Sequence, residues 1–209
     1  MENQINLKMK NTPQLWVFLS ANIIFLCSMF FPAYFTKLAN DFDIVFVVKT
    51  LGLLIAPLIL FLLNGLLSPH QKAILVFWKI SNPLPGSEAF SNISKTDTRI
   101  DREKLKISYG SFPKKPSDQN KMWYKIYKKN SSNLIVADSH RAFLLARDLT
   151  SLSFLFLLFI GLPICWSEKW PLSVYYLLIL VVQYVLVRLG AKNRGRRFVA
   201  NVLAIESHS

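Results

Sequence analysis

The sequence predicts an all-α membrane protein, with four transmembrane helices and a small, mainly helical, basic cytoplasmic domain between helices 2 and 3. Three observations carry that prediction. Four long apolar runs occupy 15–35, 44–67, 149–166 and 171–187, and Lys49 is the one charged residue inside them. The insert between the second and third runs, 68–148, holds fifteen of the chain's 25 Lys and Arg residues. Finally, 22 of those 25 fall on one side of the runs.

A helix needs ~20 apolar residues to cross a bilayer core. The first two runs are long enough with some tilt to spare. The third and fourth, of 18 and 17 residues, sit near the lower limit. The runs lack the polar stripe that a soluble helix keeps. The first run is too long for a signal-peptide core and no small-residue cleavage site follows it, so it reads as retained. Cys27 and Cys165 both lie inside apolar runs, which leaves no disulfide scaffold or cysteine zinc site outside the membrane.

Orientation follows from the cations. The positive-inside rule makes the cation-rich side cytoplasmic, with both termini there. Nine carboxylates share that side, so it carries the whole net charge of +13. The expected division is a cytoplasmic tail 1–14, a hairpin 15–67, the basic domain 68–148, a second hairpin 149–187 and a basic tail 188–209. The expected location is the inner membrane. Trp16, Trp166, Trp170, Tyr175 and Tyr176 stand near run ends, as interfacial anchors do.

Within the insert, Ser68-Pro69 can open a helical segment His70–Ile80, mixed in polarity and suited to the headgroup layer. Asn82-Pro-Leu-Pro-Gly86 breaks it. A short helix is expected over Asp97–Ile107, capped by Thr96 or Asp97. A second runs from Ser117 or Asp118 to about Lys129. Leu134–Ala137 reads either as a short strand or as the start of the next helix. From Ser139 the pattern runs without a breaker into the third span. Arg197–Ile205 is an amphipathic helix candidate, and Pro57 and Pro163 can kink their spans.

The strongest local pattern is Lys121-Met-Trp-Tyr-Lys-Ile-Tyr-Lys-Lys129. On a helix its lysines share one face, and Met122, Trp123, Ile126 and Tyr127 the other. Three readings compete: a surface helix whose aromatic face packs on the insert and whose lysines are solvated, a helix against anionic headgroups, or a site for a phosphate-rich ligand, nucleotide or oligonucleotide with Tyr or Trp stacking on bases. Lys192–Arg197 follows the fourth run as a topology anchor, and its arginine forks also suit phosphates. The candidate ligand residues are therefore Lys121, Trp123, Tyr124, Lys125, Lys128, Arg141, Arg194, Arg196 and Arg197. Asn22 and Gln183 lie inside spans and are candidates for helix packing or pore lining.

Enzymatic signals are weak. There is no P-loop, Gly-rich phosphate cradle or nucleophile elbow. Asp97 and Asp101 could hold a metal, but Arg99, Arg102 and Lys104 around them favour ion pairing. No catalytic residue, metal site or cofactor is expected, and a lipid-modifying enzyme is the third-ranked class.

Asn82–Gly86, Ala89-Phe90, Arg99-Ile100-Asp101, Gln119-Asn120 with Trp123-Tyr124, and His140-Arg141 with Leu144–Asp148 together form a pattern over about a third of the chain. It resembles a group of small, uncharacterised bacterial membrane proteins. The architecture is also similar to membrane components of bacterial anti-phage systems of the Kiwa and Hailong types. That likeness implies a homo-oligomer that perturbs the membrane on a cytoplasmic signal, and carries no residue roles. The expected function is a regulated channel-like effector whose basic domain senses a nucleotide, oligonucleotide, anionic lipid or soluble protein partner. The alternative is a non-conducting anchor that recruits a soluble partner.

Overall fold

The computed structural model describes residues 10–32, 62–63, 65–166 and 170–209. Nearly all of the second apolar run, including Lys49 and Pro57, lies outside the described residues. Among the described residues the fold is wholly helical, and three helices are long and apolar enough to cross a membrane.

Helix α1, Thr12–Phe30, is the first of these. Helix α2, Pro69–Phe77, opens on a full capping box. The Ser68 side chain accepts from the Gln71 N–H, and the Gln71 side chain accepts from the Ser68 N–H. That arrangement satisfies donors a helix start leaves open. The helix stops three residues short of the expected Ile80, because Trp78 turns left-handed at φ 52°.

A compact run of short turns, Pro85–Glu88, Ala89–Ile93 and Ser94–Thr96, leads to α3, Arg102–Tyr109. The sequence reading placed this helix at Asp97–Ile107. The Asp97 carboxylate instead accepts from the Arg99 N–H and grips the Arg99 guanidinium at 2.7 Å. That local turn competes with the helix. Asp101 becomes the cap, accepting from the Lys104 N–H at 3.0 Å. Both carboxylates weighed as metal ligands are thus engaged.

Helix α4, Pro116–Lys129, matches the expected segment. Helix α5 runs over Leu134–Ile164, longer than expected at its start. The ambiguous Leu134–Ala137 is its first turn, capped by the Asn133 side chain, which accepts from the Ile135 N–H at 2.9 Å. A wider π turn at Leu157–Gly161 absorbs Pro163, whose ring would clash with a carbonyl of the preceding turn.

Helix α6 runs unbroken over Leu172–His208. The fourth run, the arginine cluster and the amphipathic candidate 197–205 are therefore one rod, where the sequence reading ended the hairpin at 187 and started a tail.

Helix α6 packs along α5, with α1 and α2 against the pair. At the apolar end, Leu15 and Leu19 of α1 bury against Leu152 and Phe156, and Phe30 against Tyr176 and Leu180. At the other end, Phe198, Val199, Val202 and Leu203 are buried against Phe90, Trp123 and Ile126. Each such side chain, removed from water, contributes about 1.5–3 kcal/mol. The C-terminal third of α6 is thus the centre of the basic domain's core.

Candidate ligand clefts and a buried charge cluster

Helix α4 divides the predicted ligand residues. Its aromatic face points inward, and Trp123 is only 6% exposed. Trp123 stacks on Tyr127 at 5.7 Å and meets Phe198 edge-on at 5.2 Å. Gly86 fixes this packing, since a Cβ there would lie 2.5 Å from the indole and 2.6 Å from Asn120 Oδ1. A Trp123 that packs in the core is not an open platform for stacking bases. Tyr124 stays partly exposed, with Lys128 Nζ 5.5 Å from its ring centre. Lys121 and Lys125 face solvent, and Lys121 pairs weakly with Asp118 at 3.6 Å. Arg141 pairs with Asp138 at 3.1 Å.

Arg196 and Arg197 come together on a different surface. They line an open cleft of about 440 Å3, opposite Asn92, Thr96, Asp97 and Thr98. Arg196 also lies 3.8 Å from Glu88, which pairs in addition with Lys79. Two guanidinium forks beside hydroxyl and amide groups can hold a phosphate-type anion. Arg194 is exposed and does not line this cleft. The nine candidates therefore do not form one site. They divide between α4, with Trp123 in the core and the rest on its surface, the Arg196–Arg197 cleft, the first half of α5 and the exposed Arg194.

A buried ion-pair cluster lies outside the candidate set. Lys72 Nζ, 3.1 Å away, and the Arg147 guanidinium, 3.0 Å away, converge on one oxygen of Asp148. All three residues are at least nine-tenths buried. The cluster joins α2 to α5 at the edge of the apolar stretch. Beside it the Arg188 guanidinium lies 3.5 Å over the Trp78 ring. The Trp78 N–H donates to the Tyr184 hydroxyl at 3.0 Å, which donates to the Leu75 carbonyl at 3.1 Å. The sequence signal was available: Asp148 is the last carboxylate before 18 apolar residues, and it follows an arginine. What it could not reveal is that Lys72, 76 positions away, arrives at the same oxygen.

A second polar knot closes the chain's end. Glu206 on α6 is 7% exposed. It accepts from Lys129 Nζ at 2.6 Å, from the Tyr109 hydroxyl and from the Asn130 amide. Burial pushes its carboxyl up, but these hydrogen bonds outweigh burial and hold it below the ordinary range. Burial, then the bond to Glu206, pushes the Tyr109 hydroxyl up.

Inside the apolar end, Gln183 Nε2 donates to Asn22 Oδ1 at 3.1 Å and lies 3.5 Å from Ser153 Oγ. Asn22 Nδ2 donates in turn to the Phe18 carbonyl at 2.9 Å. Of the two roles weighed for this pair, these contacts are those of helix packing within one chain.

The fold and clefts define a helical protein with three candidate membrane-crossing helices and a basic globular end. No protein-family model matches the chain, and neither a search of curated proteins nor one of solved structures returns a match.

Proposed function

We propose that the protein is a four-span, oligomeric inner-membrane effector with both termini and its basic domain in the cytoplasm. An anionic ligand at the Arg196–Arg197 cleft, or a partner docked on the same end, acts on the spans. The observation that supports this most is the continuity of α5 and α6. Each runs without a break from the basic core into the apolar end, and the two pack on each other. A ligand that shifts Arg196 and Arg197 moves a rod whose far end is apolar. Both ends then bias one element, as coupling between distant sites requires. Bacterial anti-phage defence is the proposed setting, and it rests on the architectural resemblance.

The test is conductance of the purified chain in planar bilayers, with and without short polyphosphate. The expected result is a current that polyphosphate changes, and that Arg196→Ser with Arg197→Ser renders insensitive while the oligomer persists. A silent bilayer with an intact oligomer overturns the reading. It favours the second proposal, a non-conducting anchor that recruits a soluble protein. One observation supports that alternative: Asn22, Gln183 and Ser153 bond one another inside the chain, which takes polar groups away from any pore lining.

A further inference from the structure

Tyr184, Arg188 and Lys192 follow one another at four-residue spacing on α6, so they stack along one face of the rod. Arg188 is only 7% exposed. Its guanidinium covers the Trp78 ring, which the bond from its N–H to the Tyr184 hydroxyl holds in place. Trp78 nevertheless stays 60% exposed, and Ile80 beyond it is exposed as well.

Arg188 is a buried cation without a counter-charge. Among the described residues it makes no ion pair and no hydrogen bond, whereas Arg147 nearby pairs with Asp148. The Trp78 ring face offsets part of the cost of burial, yet it offers the guanidinium N–H groups no acceptor in their plane. Nε is enclosed without a partner. The two terminal nitrogens are equally unbonded but are not enclosed, so they reach the surface. A buried charge is ordinarily paired, so an anion from outside the chain is the missing partner. Lys192, partly exposed one turn further on, also has no carboxylate partner among the described residues.

The place of the opening selects the anion. Leu186 and Leu189, which flank Arg188 in the chain, are exposed, and beyond Leu189 no large apolar side chain of α6 is. On a helix that crosses a bilayer, the end of the apolar surface is the headgroup layer, and tryptophan is enriched there. We propose that Arg188, Trp78 and Lys192 form a site for one anionic phospholipid. The phosphodiester accepts from the terminal nitrogens of Arg188, Lys192 adds a second positive charge, and Trp78 and Ile80 lie against the glycerol and upper acyl chains. A zwitterionic lipid fits less well, because its own ammonium group meets two unpaired cations. The proposal goes beyond the effector reading and does not rest on it, because binding is read without conductance.

The test is native mass spectrometry of the full chain in lipid-free detergent, titrated with phosphatidylglycerol or with phosphatidylcholine of the same acyl chains. The expected result is one phosphatidylglycerol per chain, held at least ~10-fold tighter than phosphatidylcholine, as two cations unopposed by a headgroup ammonium imply. Glycerol 3-phosphate carries the phosphate without the chains and is expected not to displace it. Arg188→Gln is expected to weaken phosphatidylglycerol about 10-fold by removing charge-assisted hydrogen bonds. Lys192→Gln is expected to weaken it about 3-fold, as a nearby charge without the central bond. Lys104→Gln, exposed on α3, removes the same charge elsewhere and is expected to leave binding unchanged. Because Arg188→Gln also disturbs the packing on Trp78, Lys192→Gln against Lys104→Gln decides the matter where that variant does not fold. Equal binding of the two lipids by the wild type, displacement by glycerol 3-phosphate, or a loss in Lys104→Gln as large as in the site variants each overturns the proposal.

Discussion

The two ends of helix α6 face different surroundings. Toward its start it leaves Tyr175, Leu178, Ile179, Val182, Leu186 and Leu189 exposed. Beyond Leu189 none of its large apolar side chains is exposed, and Phe198, Val199, Val202 and Leu203 are buried. A contiguous apolar face of that length is not left open to water. The change along one continuous rod therefore locates a change of solvent near Arg188, where the arginine lies over Trp78. Apolar side chains at the start of α6 stay exposed on a helix apolar enough to cross a membrane, and those at its end form a core.

The largest effect is expected at the border itself. Asp148→Asn takes away the carboxylate that Lys72 and Arg147 share and leaves two cations buried. Breaking a buried ion pair in this way costs about 3–5 kcal/mol. Lys72→Met is expected to cost less, because Arg147 and Asp148 keep each other. Thermal unfolding of both variants in one detergent checks this. If Asp148→Asn melts no earlier than Lys72→Met, the junction is wet, and the sharp boundary between the two ends of α6 fails.

Next come two glycines five positions apart on α6. A Cβ at Gly195 would lie 2.8 Å from Phe77 and 2.9 Å from Phe143, whereas nothing lies within 4 Å of one at Gly190. Gly195→Ala overpacks the crossing of α2, α5 and α6 and is expected to cost about 1–3 kcal/mol. Gly190→Ala gains helix propensity and is expected to stabilise by roughly 0.5–1 kcal/mol. Opposite signs in the two melting shifts sharpen the comparison. Equal shifts would mean that α6 does not approach its neighbours more closely past the border.

These contrasts also explain what the sequence could and could not reveal. The first, third and fourth apolar runs, the α4 segment and the entry of α5 into the third run were legible, because periodicity and breakers are local signals. The identity of the basic core was not. Phe198, Val199, Val202 and Leu203 follow a cluster of arginines in a tail that reads as an amphipathic helix able to pack on the insert, and tertiary contact makes them the centre of its core. Trp123 stayed open between a core wall and a ligand platform for the same reason. A Lys-rich helix with an aromatic face suits both a ligand platform and a core wall, and the choice depends on Gly86 and Phe198 arriving from elsewhere. Asp97 failed as a helix cap because its nearer competitor, Arg99, was two residues away.

The smallest effects compare one polar joint from each end. Glu206 belongs to the basic end and Gln183 to the apolar one. Glu206→Gln keeps the shape and removes the charge that Lys129, Tyr109 and Asn130 address. Loss of hydrogen bonds to a buried charge puts its cost on the order of 1–2 kcal/mol at neutral pH. The carboxyl is held below its ordinary value of 4.5, so its contribution is fully present above that pH. It is lost as pH falls through the lower, folded value, and the gap between wild type and Glu206→Gln then closes. Gln183→Leu gives up the bond to Asn22 in lipid-like surroundings, where such bonds average about 0.6 kcal/mol. No titrating group is involved, so that deficit is expected to stay constant with pH. Melting temperatures of both variants across the acid range decide the matter. A pH-flat deficit for Glu206→Gln would show that the end of α6 is not held by an ionised carboxylate, and the two ends would then differ in burial alone.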